Sequence, residues 1–119
     1  MPETKTYAGS CHCGKVRYEV STDLSKVMSC NCSLCSRAGY LLNFVPASQF
    51  KLLSGEDNLQ DYRFNTHKIE HMFCKTCGVR SFARGKMRDG SDTAAINVRC
   101  LAGVDLDTLT LTKVNGRDL

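Results

Sequence analysis

The chain lacks any apolar run approaching the roughly 18 residues that a membrane-spanning helix needs, and its opening MPETKTYAGS carries no hydrophobic stretch of the secretory kind. The expectation is a soluble, unprocessed, cytoplasmic protein. Prolines are few, Pro2 and Pro46 alone, and no low-complexity segment or shift of composition marks a linker. One domain over residues 1–119 is expected, long enough to bury a core and short enough to gain from metal staples. Lys and Arg never form a run, and paired carboxylates of the general acid–base type are missing, since Asp105 and Asp107 read as turn and helix-cap residues. The formal charge of +4 treats cysteine as neutral. If seven thiolates bound two Zn²⁺ ions, seven negative charges against four positive ones would leave about +1, so a nucleic-acid partner is not expected.

Short alternating segments are what the chain has instead. Lys15 to Val20 puts Val16, Tyr18 and Val20 on one face and Lys15, Arg17 and Glu19 on the other, a half-buried strand. A turn is expected over Ser21 to Ser25. Further strands are expected at Tyr40 to Val45, Phe50 to Leu53, Leu59 to Phe64, Lys68 to Phe73, Val79 to Ala83, Ala94 to Arg99 and Thr108 to Val114, with short helices after Cys32 and around Val104 to Leu109. The pattern reads as a mostly β domain.

Cysteine is plentiful, with eight residues, seven of them in three clusters: Cys11 and Cys13, then Cys30, Cys32 and Cys35, then Cys74 and Cys77. Spacings this tight bring sulfurs to a single point at roughly 2.3 Å each, as tetrahedral zinc requires and a disulfide framework does not. In a reducing compartment the thiols serve as ligands rather than bridges. Cys11-His-Cys13-Gly14 and Cys74-Lys-Thr-Cys77-Gly78 share the composition of a zinc knuckle, in which a glycine after the second ligand takes positive φ while backbone N–H groups donate to sulfur. Two knuckles make one closed four-thiolate site of structural character. Cys30, Cys32 and Cys35 supply three thiolates from a six-residue loop. Either the fourth position stays open, as in catalytic zinc, or Cys100 fills it and the site is structural. Cys100 shares its expected strand face with Ile96 and Val98, which suits a small buried hydrophobe. Three thiolates leave Zn²⁺ at a net charge of −1, too blunt for ready hydroxide generation but suited to a soft external thiol. His12 should point away from the metal, His67 reads as a loop residue, and His71 alternates with Ile69 and Phe73 just before Cys74, facing either the core or the second zinc.

The segments GSCHCGKVRYEV, SCNCSLCSRAG, FCKTCG and INVRCLAGVD, in that order from about Gly9 to Leu109, resemble the glutathione-dependent formaldehyde-activating enzyme (GFA) family, also called the centromere protein V domain. The resemblance implies small twisted antiparallel sheets organised around zinc, two ions per chain. Cys11, Cys13, Cys74 and Cys77 would hold a structural zinc, and Cys30, Cys32 and Cys35 a catalytic one. It also implies carbon–sulfur lyase or synthase chemistry, typified by glutathione and formaldehyde combining to S-hydroxymethylglutathione. A thiol such as glutathione brings carboxylates, for which Arg37, two residues after Cys35, is the nearest cation, with Arg80 and Arg84 beyond the second knuckle. The rival from another class is a zinc-stabilised protein-binding module. Nothing in the sequence speaks to oligomeric state.

Overall fold

The computed structural model describes residues 4–31, 33–63, 69–86 and 89–114. Two sheets face each other. The smaller is antiparallel in the order β1–β2–β5, from β1 (Lys5–Ser10), β2 (Arg17–Thr22) and β5 (Phe50–Ser54). The larger has seven strands in the order β10–β3–β4–β9–β8–β7–β6. Its members are β3 (Val27–Cys30), β4 (Leu42–Pro46), β6 (Leu59–Tyr62), β7 (Glu70–Cys74), β8 (Phe82–Lys86), β9 (Asp92–Asn97) and β10 (Leu111–Val114). A six-residue helix, α1 (Ser33–Ala38), follows β3. No helix among the described residues is long and apolar enough to cross a membrane.

The expected alternation of β2 holds. Tyr18 and Val20 are fully buried while Arg17 and Glu19 are exposed, although the strand begins two residues late and runs on to Thr22 before turning. Tyr18 meets Phe50 of its own sheet and Phe82 of β8 with ring centroids 5.1 and 5.6 Å apart, and Phe50 and Phe82 close the triangle at 4.7 Å. Such rings carry the largest apolar areas and lock the sheets together by tilted and edge-on contacts. The Tyr18 hydroxyl donates to the Ser81 carbonyl at 3.1 Å, so its burial leaves no polar atom unmade. At the far end Thr22 Oγ1 donates to Asn43 Oδ1 at 2.7 Å, a second polar stitch between the sheets.

Three expected elements are corrected. The segment Val79 to Ala83 is strand only from Phe82, which opens β8. Ala94 to Arg99 is strand only to Asn97, where Asn97 Oδ1 accepts from the Arg99 N–H at 3.2 Å and folds Val98–Cys100 into a 3-10 turn. The face shared by Ile96, Val98 and Cys100 is therefore broken before Cys100. The segment Thr108 to Val114 is strand only as β10, which pairs with β3 in parallel, Leu111 opposite Val27 and Val114 opposite Cys30, in an otherwise antiparallel sheet. Strands β1 and β3 were not anticipated. Phe64 and Lys68, at the edges of expected strands, and His67, expected in a loop, lie outside the described residues.

The large sheet has two working faces. Phe82, Ala94 and Ile96 point to the inter-sheet core. The intervening residues form the other face, on which Phe44, Ala95, Ala83, His71 and Tyr62 lie opposite one another in a row across five strands. Cys35 of α1 packs on this second face with Tyr40, Leu42, Ala83 and Ala95.

Candidate functional site

The two knuckles fold alike. Cys11 N–H donates to the Val16 carbonyl at 3.0 Å across one turn, and Cys74 N–H donates to the Val79 carbonyl at 3.1 Å across the other. Gly14 and Gly78 sit at φ of 83° and 77°, the left-handed geometry that reverses the chain behind the second cysteine. The first knuckle joins β1 to β2 and the second follows β7, so their meeting ties the small sheet to the large one. The sulfurs of Cys11 and Cys13 are 3.6 Å apart, as are those of Cys13 and Cys74, and all four sulfurs including Cys77 lie within 4.8 Å of one another. A tetrahedron of bonds of roughly 2.3 Å has an edge of about 3.8 Å, so the donor set fits zinc.

Electrostatics point the same way. Burial pushes Cys77 up, but N–H donors from Cys13 and Val79 and the Cys74 thiol outweigh it and hold Cys77 at about 6. Cys74 is also lowered: burial again opposes, and the backbone N–H groups of Cys77 and Thr76 prevail. At Cys13 the Lys15 N–H pulls down, yet burial and the neighbouring thiols drive it up to about 11. Four sulfurs this close cannot all ionise without a cation between them, and a divalent ion removes the conflict. Asn58 adds an unanticipated contact, its Nδ2 donating to Cys74 Sγ at 3.2 Å and to Thr76 Oγ1 at 3.1 Å. Its own carbonyl accepts from the Lys75 N–H at 2.8 Å, which fixes the turn against the knuckle.

Of the second cysteine cluster, Cys30 and Cys35 lie on the opposite face of the large sheet. Cys30 ends β3, held between β10 and β4, and Cys35 is buried in α1. Cys30 packs against the same group of side chains as Cys35, while Cys32 lies outside the described residues. Cys11, Cys13, Cys74 and Cys77 are the one set of three or more ligand-type side chains gathered together among the described residues, so Cys100 is not assembled with Cys30 and Cys35. Its Sγ rests 3.9 Å from the Arg80 carbonyl, and burial raises its pKa against the influence of the Ser81 hydroxyl.

The basic candidates separate. Arg37 is exposed and donates through Nη1 to the Ser33 carbonyl one turn back at 2.8 Å. Arg84 stacks over Phe82 and Phe50, 5.3 and 5.9 Å from the ring centres, on the inter-sheet face away from Cys35. Arg80 lies 5.1 Å from the Phe73 ring centre and 5.7 Å from that of Tyr62. His71, opposite Ala83, faces the Cys35 side, and its pKa is lowered by burial and by the Arg80 charge. His12 is exposed. Sequence reasoning passed over Tyr40, which is 3% exposed in the Cys35 cluster. Tyr40 and Arg80 come from distant segments, and no spacing rule links them.

The fold and the four-sulfur site define a two-sheet β protein with a knuckle pair that could hold a metal. Residues 6–110 match the family model of the glutathione-dependent formaldehyde-activating enzyme, and the chain belongs to that family. Among solved structures it is similar to a Rhodobacter sphaeroides protein determined as a structural genomics target. The two share 31% identity and superpose with a TM-score of 0.76, over 88% of this chain and 99% of that one.

Proposed function

We propose that the chain is a single-domain zinc-dependent carbon–sulfur lyase or synthase that joins a low-molecular-weight thiol, glutathione in the first instance, to formaldehyde or a related small carbonyl. The observation that carries this reading is the division of the thiols. Cys11, Cys13, Cys74 and Cys77 could hold one metal among themselves, while Cys30 and Cys35 pack on the other face of the sheet, which leaves the Cys30, Cys32 and Cys35 cluster for a separate task. The first set would hold a structural zinc and the second a catalytic zinc. When bound by three thiolates, zinc supplies acidification of an incoming thiol at neutral pH, and its blunted Lewis acidity favours sulfur over water.

The chain's own residues do the rest. Cys30 and Cys35 arise from a strand end and a helix braced by the same buried cluster, so their separation is set by packing rather than by loop motion. Beneath them lie Ala83 and Ala95, buried against Cys35, Tyr40 and Leu42, in a row that ends at the exposed rings of Phe44 and Tyr62. In the forward reaction a sulfur–carbon bond forms, the carbonyl π bond breaks, and its electron pair settles on oxygen, which takes up the proton released by the thiol. The reverse is the lyase step. Holding the two partners together contributes by proximity. Family membership supports the thiol and aldehyde as substrate classes.

The condensation also proceeds unaided, so product at equilibrium carries no information. The test is the rate of exchange between glutathione and S-hydroxymethylglutathione by NMR, comparing the native protein with Cys32→Ser at equal concentration and pH. The native protein should exceed the buffer rate and the variant should return to it. If both match buffer with glutathione and with other small thiols and aldehydes, the reading is wrong, and a zinc-stabilised binding module takes its place.

A further inference from the structure

On the face that carries Cys35, two hydrogen-bond donors are buried without acceptors. Tyr40 is 3% exposed, and among the described residues neither its Oη–H nor Arg80 Nη1 meets an acceptor, although the Arg80 guanidinium lies beside the Tyr40 hydroxyl. Leaving such donors unmade costs free energy that folding alone does not recover, so a buried orphan calls for an explanation. Among the described residues Arg80 also pairs with no carboxylate. The ion pairs among the described residues are Arg63 with Asp61 and Glu70, and Lys86 with Asp92, and Arg80 meets aromatic rings instead.

The two donors share one support. Asn97 Nδ2 donates to the Arg80 carbonyl at 2.9 Å, while Asn97 Oδ1 accepts from the Leu41 N–H, next to Tyr40, at 3.5 Å. The Leu41 carbonyl in turn accepts from the Val98 N–H at 2.7 Å. One buried amide therefore holds the backbone beside both side chains. The Arg80 guanidinium is close enough to the Tyr40 hydroxyl to act on it by charge and by hydrogen bonding. Cys35 is among the groups that act on Tyr40 and shares its buried cluster.

Resting on the function proposed above, we infer that Tyr40 Oη and Arg80 Nη1 form an oxyanion-binding pair beside Cys35, which takes the oxygen that gains charge as sulfur adds to the carbonyl carbon. Donors fixed in advance and shielded from water stabilise developing charge without reorganising. A neutral O–H and a cationic N–H together suit one small anionic oxygen.

Formate, a one-carbon oxyanion, is the probe. Titrated into zinc-loaded protein and followed by NMR at the Arg80 side chain, it should bind saturably, with affinity at least about 10-fold weaker in Tyr40→Phe and in Arg80→Gln. Tyr40→Phe keeps the ring and removes only the orphan hydroxyl, so its melting temperature should not fall. In the exchange assay the same variant should lose about 100-fold in kcat with little change in KM for the thiol, and Arg80→Lys should recover part of what Arg80→Gln loses. Formate that does not bind the native protein, or binds both variants as tightly, overturns the pair, as does a Tyr40→Phe enzyme with unchanged kcat. Formate binding that depends on the pair, in a native protein that accelerates no exchange, keeps the anion site and rejects the reaction instead.

Discussion

Cys74→Ser is the perturbation that most directly tests the division between the two cysteine sets. Cys74 is 1% exposed, its sulfur lies 3.6 Å from that of Cys13, and it accepts from Asn58. Zinc held by four such thiolates contributes on the order of 10–16 kcal/mol in apparent terms, and in a chain that builds the site only by folding this is folding free energy. An equal share for one ligand is about 2.5–4 kcal/mol, a large part of the roughly 5–15 kcal/mol by which a domain of this size is stable. For about 120 residues that loss lowers the melting temperature by about 10–20 °C. Serine in place of sulfur also leaves a small hydroxyl in a buried, tightly coordinated position, which works in the same direction. The assay is far-ultraviolet circular dichroism on heating, with zinc content measured on the same samples. Cys32→Ser, in the other set, should retain one zinc and melt close to the native protein. A Cys74→Ser chain melting within about 2 °C of native, or a Cys32→Ser chain that falls equally far, refutes the assignment of structural and catalytic roles.

A mild chelator should remove the zinc of Cys30, Cys32 and Cys35 first while the circular dichroism spectrum persists, and native mass spectrometry should show two zincs, then one. Two zincs lost together with unfolding would contradict it. Because protons compete for thiolates, both ions should bind less tightly as pH falls, and the closed set should hold its ion to the lower pH; release in the reverse order would count against the open site. Asn58→Ala, which removes the donor to Cys74 Sγ, should weaken the structural zinc by about 10–100-fold in chelator competition while the chain stays folded with zinc in excess. Unchanged affinity would reduce Asn58 to a turn residue.

What the sequence disclosed followed from adjacency. The knuckles are legible because both ligands, the turn glycine and the following strand lie within a few residues, so local spacing encodes the geometry. Strand β2 is legible because one face is buried and the other wet, which writes a period of two into Arg17, Tyr18, Glu19 and Val20. Strand β1, KTYAGS, has no such signature. It exists because it pairs with β2 along its whole length, from Lys5 opposite Thr22 to Ser10 opposite Arg17. Strand β3 owes its place to β10 and β4 on either side, and a parallel partner from the far end of the chain leaves no trace in local composition.

Cys100 shows how a correct pattern misleads. Ala94 to Asn97 alternates as a strand should, and extending that period places Cys100 on the face of Ile96. One side-chain acceptor, Asn97 Oδ1, captures the Arg99 N–H and ends the strand, a local competition that periodicity does not register. The same Asn97 side chain reaches Leu41 and the Arg80 carbonyl, so the residue that halts β9 also braces Tyr40 and Arg80. The segments at residues 40–41, 80 and 97 are far apart in sequence. The metal ligands could be read from the chain because chelation demands short spacings, whereas the donors proposed to meet the substrate oxygen are set by sheet register, which brings residues 40, 80 and 97 together only once the strands are paired.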